Sequence, residues 1–213
     1  MKAILFDFDG TLADTLPICF YAFQSVFKKF DKKELSTDQI TKMFGPSETG
    51  IIKENLNHTN IEEAIELYYK KYENNHMTLV QANHKINDLL IFLKNKGIKL
   101  GIVTGKARRS LDISLKALNM NEYFEIVITG DDVSRPKPHS EGIIQALKHL
   151  GISHKDAVFI GDSDADFYAS KQAKVFTIGV RWLPNYVPIK FTVQPDYICT
   201  TTNQLKEFVE KRD

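Results

Sequence analysis

Lys2 to Phe8 is a short apolar run that ends in carboxylates, the pattern of a buried strand, and Gly10 breaks it. From Leu16 to about Phe30 the spacing changes. Phe20, Phe23, Val26, Phe27 and Phe30 recur at helical intervals. Ser36 with Gln39 has the form of a capping box and opens a second helix, which Phe44-Gly45-Pro46 stops. Further helices are predicted over Glu48 to Leu56 and over Ile61 to Tyr72, the latter with Ile65, Leu67, Tyr68 and Tyr72 as apolar surface. Residues 16 to about 80 thus read as wholly helical.

Beyond that block the period alternates. Helices are predicted at Ile86 to Lys96, Leu111 to Leu118, Ser140 to Leu150, Asp164 to Ala173 and Gln204 to Lys211. Strands are predicted at Lys99 to Val103, Glu125 to Ile128, Ala157 to Ile160 and Val175 to Val180. Such alternation implies an α/β fold, a doubly wound, Rossmann-like parallel sheet covered on both faces. The helical block interrupts it directly after the first strand and reads as an inserted all-helical cap. The expected division is a core of residues 1–15 and 81–213 and a cap of residues 16–80. No internal repeat or low-complexity segment is apparent.

Composition narrows the partners. The 213 residues carry 28 Lys+Arg against 27 Asp+Glu, a net charge of +1. That balance gives no bulk attraction to nucleic acid or to an anionic membrane. No apolar run approaches the roughly 20 residues that span a bilayer, and the amino terminus meets Asp7 too soon for a signal peptide. Cys19 and Cys199 form neither a metal-type pair nor a disulfide framework. A cytoplasmic protein, monomer or homodimer, is expected.

Ligands of open parallel sheets bind beyond the carboxyl ends of the strands. The strands predicted here end in polar sets: Asp7-Phe8-Asp9-Gly10-Thr11, then Thr104-Gly105-Lys106, then Arg135-Pro136-Lys137-Pro138 past the third strand, then Gly161-Asp162-Ser163-Asp164-Ala165-Asp166. In this order, along essentially the whole chain, the sequence resembles the haloacid dehalogenase superfamily, specifically its phosphatase branch with a helical cap, of phosphoglycolate phosphatase type. The first and fourth sets are the specific ones; Thr104 or Lys137 alone carries little weight.

The resemblance implies a hydrolase acting on a small phosphorylated metabolite, with Asp7 as nucleophile and Asp9 as acid and base. A carboxylate nucleophile divides the reaction into two easier steps through an aspartyl-phosphate. Clustered carboxylates without His or Cys favour a hard, oxygen-seeking ion, hence Mg2+. By resemblance its ligands are the Asp7 carboxylate, the Asp9 backbone carbonyl and Asp162, with Asp166 behind them. Taken singly, Asp164 and Asp166 also suit the cap of the following helix. Asp7, Asp9 and Asp162 gathered at one sheet edge would repel one another without a cation. Thr104 is expected to donate to the phosphoryl group, with Gly105 and Lys106 presenting backbone N–H groups beside it. As a lone residue Thr104 also suits a helix cap. Lys137, stiffened between two prolines, is aimed at Asp7 and the phosphate. In the loop Phe44 to Glu48, Ser47 and Glu48 are the expected substrate contacts, against the plainer reading of an interhelical turn.

Other chemistries of the superfamily fit less well. Dehalogenases lack the second acid that Asp9 supplies. Sugar phosphomutases carry His twelve residues after the nucleophile, where this chain has Cys19. Phosphonate hydrolases use a cap lysine, and Lys28, Lys29, Lys42 and Lys53 keep that option open. Pyrophosphate remains open as a substrate. A non-catalytic binding module is disfavoured by the intact acid and lysine set. Lys174 follows Ala173 where relatives usually have Gly, a change in packing rather than chemistry.

Overall fold

The computed structural model describes residues 1–184 and 191–212. Its strands are β1 (Ala3–Phe6), β2 (Lys99–Val103), β3 (Ile126–Ile128), β4 (Ala157–Gly161), β5 (Phe176–Val180) and β6 (Tyr197–Cys199). They form one sheet in the order β3-β2-β1-β4-β5-β6, with every pair parallel. β1 is central and buried on both faces, which is why it is a continuous apolar run. Successive side chains of a strand point to opposite faces. Accordingly Ile4 and Phe6 join one apolar core, and Ala3 and Leu5 the other.

Helices α5 (His84–Asn95), α6 (Arg108–Ala117) and α9 (Thr202–Glu210) supply the first core. Helices α7 (Glu141–Leu150) and α8 (Asp164–Gln172) supply the second. Between β1 and α5 come α1 (Leu16–Asp31), α2 (Thr37–Thr41), α3 (Glu48–Asn55) and α4 (Ile61–Leu79). α1 and α4 pack against each other, with the Phe23 and Tyr68 rings 4.7 Å apart. The capping box at Ser36 and Gln39 is present in both directions. Phe23, Tyr68 and Tyr72 belong to the same apolar cluster as Leu111 and Leu115 of α6, so the helical block is seated on the sheet's own layer.

Three elements differ from the sequence expectation. α4 continues past Tyr72 to Leu79, because the polar stretch after Tyr72 contains no Gly or Pro and His76 is buried against α6. β6 is a short edge strand with two of its three residues exposed, and it carries no apolar alternation to detect. A 3-10 turn at His154–Asp156 leads into β4.

Candidate active site

The register of the central strands builds the site. Phe6 lies opposite both Ile102 and Ile160, so Asp7 leaves β1 level with the ends of β2 and β4. Its N–H donates to the Ile160 carbonyl at 2.8 Å. The chain then folds into a tight turn. The Phe8 carbonyl accepts from the N–H groups of Thr11, Leu12 and Ala13, and the Gly10 N–H donates to Ala13. Gly10 has φ of +81°, and a Cβ there would overlap the Asp162 carboxylate, so two separate constraints require glycine. The turn is tied down from outside. The Thr11 hydroxyl donates to Asp162 Oδ1 at 3.2 Å, and Trp182 Nε1 donates to the Thr11 carbonyl at 2.7 Å.

Asp7, Asp162 and Asp166 each offer one oxygen, and these oxygens lie within 4.8 Å of one another. Lys137 Nζ sits 2.7 Å from Asp7 Oδ1 and 2.5 Å from Asp166 Oδ1. Asp166 is fully buried, and its Oδ2 accepts from the N–H groups of Asp162 and Ser163 and from the Ser163 hydroxyl. It therefore closes the capping box of α8 with one oxygen and holds Lys137 with the other. A Cβ on Gly161 would lie 2.5 Å from the Asp166 carboxyl carbon, so β4 must end in glycine to admit that side chain. Asp164 points elsewhere and accepts from Thr192 and Val193.

Burial pushes the Asp7 carboxyl up to about 7. The charge of Asp166 adds to the effect, and Lys137 only partly offsets it. Burial, then Asp166 and Asp7, raise Asp162 well above the carboxylate range. Lys137 is raised although burial opposes its charge, because Asp166 and Asp7 outweigh the penalty. Three carboxylates against one ammonium leave two formal negative charges, the charge of one divalent cation, and all the donors are hard oxygens. The residues fit a magnesium ion.

Asp9 stands apart from this trio. Its Oδ1 accepts from the Thr15 hydroxyl, and Lys106 Nζ lies 3.2 Å from Oδ1 and 3.3 Å from Oδ2. Thr104 is buried, and its Oγ1 accepts from the Lys106 N–H at 3.3 Å. It does not cap α6, where Ala107 holds the cap position and the helix starts only at Arg108.

The side chains of Lys106 and Glu48, both expected near substrate, meet each other. Glu48 Oε1 is 3.2 Å from Lys106 Nζ and 2.6 Å from the Ser110 hydroxyl, and Oε2 accepts from the Ala107 N–H. Burial opposes the Lys106 charge, but the surrounding acids, Asp9 first, raise its pKa well above the ordinary value. Ser47 precedes α3, shares a hydrogen bond with Thr49, and lies over Gly130, where a Cβ would come within 3.1 Å of Ser47 Cβ and overlap the Gly105 carbonyl.

The sequence reading missed Thr11, Thr15, Ser163 and Trp182. Thr15 sits in helical register with α1, and only its distance from Asp9 could have singled it out. Ser163 had a visible signal, the S-x-x-D box with Asp166.

A parallel sheet in this order, with buried carboxylates and a lysine at the end of its central strands, defines a class of phosphate-handling α/β hydrolases. The chain belongs to the haloacid dehalogenase-like hydrolase family, whose profile matches residues 4–180. Pyrophosphatase PpaX from Anoxybacillus flavithermus is 31% identical over 205 residues, covering 96% of this chain and 95% of that one. The crystal structure of CbbY from Rhodobacter sphaeroides in complex with phosphate superposes with a TM-score of 0.83 at 22% identity, over 96% of each chain. That of a predicted phosphoglycolate phosphatase from Haemophilus somnus gives 0.84 at 22% identity, over 98% of each. The protein is an enzyme of the phosphatase type.

Proposed function

We propose that this phosphatase is magnesium-dependent and cleaves a small phosphomonoester through an aspartyl-phosphate on Asp7. The observation that carries the reading is the placement of Lys137 between Asp7 and Asp166, beside Asp162, at the end of the central strand. Lys137 occupies Asp7 Oδ1 and fixes the carboxylate's orientation, so that the group can attack phosphorus without first reorganising. Asp166 locks Lys137 and is itself locked by α8. Asp9 would protonate the leaving oxygen and then take a proton from the water that cleaves the acyl phosphate. Thr104 and the backbone after it would bind phosphoryl oxygens. Asp7, Asp162 and the Asp9 carbonyl would hold magnesium, with Asp166 in support. When bound, the ion would neutralise charge shared by the nucleophile and the phosphate.

In this reading residues 16–80 act as a cap that excludes water from the phosphoryl group, with Ser47 at its inner loop. Among the described residues no helix is long and apolar enough to cross a membrane. A second reading, inorganic pyrophosphate as substrate, is favoured by the pyrophosphatase named above, which is similar along almost its full length.

A metabolite panel with and without magnesium tests both readings. Turnover should vanish with EDTA, return with magnesium, and leave hydroxylamine-labile phosphate on Asp7 after an acid quench. Full activity in the chelated enzyme would overturn the proposal. A pyrophosphate kcat/KM above that of every phosphomonoester would select the second reading.

A further inference from the structure

Lys106 lies in the sheet-bearing part of the chain, yet most of its surroundings come from the helical block. Its ammonium is fully buried. It lies 3.2 Å from Glu48 at the start of α3, 3.4 Å from Cys19 Sγ on α1, and 4.7 Å from the centre of the Tyr72 ring on α4. The partner on its own side is Asp9, reached at both carboxylate oxygens. Asp9 also accepts from the hydroxyl of Thr15, the cap residue of α1. Lys106 thus ties side chains of α1, α3 and α4 to the Asp9 carboxylate.

Glu48 is spent on this link. Its two oxygens take Lys106, Ser110 and the Ala107 N–H, all on the segment after β2. A carboxylate buried with that many donors is a clamp between block and sheet. Lifting the block would strip Lys106 of Glu48, Cys19 and Tyr72 together and admit water. A flexible, hydrated ammonium no longer fixes a carboxylate.

We propose that Lys106 is a positioning residue for Asp9, and that Glu48 makes this positioning conditional on the block being seated. The inference rests on the phosphatase reading, in which Asp9 is the acid and base. Its consequence is that Asp9 is correctly set only when the site is closed to solvent. The phosphoryl group is then not offered to bulk water by a half-open enzyme.

A double-mutant cycle on the full-length enzyme with magnesium tests it. Asp9→Asn, Glu48→Gln and the pair are measured by kcat/KM on p-nitrophenyl phosphate and on glycerol phosphate. These differ in leaving group, and kcat/KM reports the phosphorylation step for both. General acid catalysis contributes about 100-fold or more, so a displaced Asp9 should cost Glu48→Gln on the order of tenfold on the glycerol ester and clearly less on the aryl ester. With Asp9→Asn already present, Glu48→Gln should add less than about twofold, since coupled residues are not additive. Lys106→Met breaks the same link from the other side and should give the same pattern if Glu48→Gln folds poorly. Equal losses for both esters, or full additivity with Asp9→Asn, would overturn the coupling. Asp7→Asn serves as the control for the parent reading. If it stays active, that reading falls; if it is dead while Glu48→Gln is additive, only the coupling falls.

Discussion

Trp182, the single tryptophan of the chain, donates its indole N–H to the carbonyl of Thr11, whose hydroxyl in turn donates to Asp162. The indole is thus two hydrogen bonds from a proposed magnesium ligand. Titrating the metal-free enzyme with magnesium should change the emission of Trp182 saturably, and Asp162→Asn should abolish the change. Emission that ignores magnesium in an enzyme that needs it for turnover would show that the turn does not respond to the ion.

Asp7→Asn should reduce turnover at least about a thousandfold, as expected for a nucleophile working within a catalytic unit. Its effect on stability should depend on pH. The folded Asp7 binds its proton up to about pH 7, whereas the unfolded side chain releases it near 3.8. The metal-free fold therefore loses stability as pH rises from 4 to 7, and above that range the loss is complete. Asp7→Asn removes the loss, so its melting temperature should exceed that of the unsubstituted, metal-free enzyme at pH 8 and approach it at pH 4. The reverse order would mean that the pair with Lys137 outweighs the burial of the carboxyl.

If Asp9 is the acid, Asp9→Asn should slow phosphorylation by glycerol phosphate far more than by p-nitrophenyl phosphate, about a hundredfold against a few-fold. Pre-steady-state release of the alcohol measures this step directly. Matching losses for the two esters would remove Asp9 from proton transfer.

His76 is buried in α4 with Nε2 at 2.9 Å from the Ser114 hydroxyl of α6. Burial, then the charge of Lys106, pushes its pKa down to about 4 from 6.5. A lowered histidine pKa gives stability that is present above pH 6.5 and is lost as pH falls towards 4. About 1–2 kcal/mol of unfolding free energy should disappear between pH 7 and pH 5 through this residue. Urea unfolding of His76→Gln should lack that part of the slope. An unchanged slope would mean that His76 is protonated in the fold at pH 5.

Ser47→Ala tests the inner loop of the block. Ser47 lies over Gly130, close to the segment that follows Thr104. The variant should change kcat/KM unequally across a substrate panel while inhibition by inorganic phosphate stays within about twofold, since remote contacts and phosphate contacts are separable. A uniform factor across the panel would make the loop a plain connection between helices.

The strands that carry chemistry were legible because a buried parallel strand is a run of apolar residues and its polar terminus breaks the run. Asp7, Thr104 and Asp162 sit where those runs end. Lys137 was legible from its two prolines. Glu48 and Lys106 were picked out as residues near substrate, but their mutual contact was not legible. The two are far apart in sequence, and nothing local says that a glutamate from the block will take its donors from the segment after β2. Asp166 posed the opposite difficulty. Its two candidate roles, helix cap and support for the site, read as alternatives in one dimension, yet a carboxylate has two oxygens and the fold uses one for each. β6 escaped because an exposed three-residue edge strand has no periodicity to reveal.

The position of β1 also governs the order of assembly. It is made before the other strands of the sheet, but its neighbours are β2, which begins at Lys99, and β4, which begins at Ala157. Both pairings close long loops, whereas α1 and α4 meet within a single helical stretch of the chain. Local helical contacts form faster than distant strand pairings. The helical block can therefore gather while β1 is still an unpaired apolar strand, a state prone to association with other chains. Asp7 is the earliest of the site residues to be synthesised and among the last to be set in place. A nascent chain stopped before residue 157 carries Asp7 but not the strand that delivers Asp162 to it.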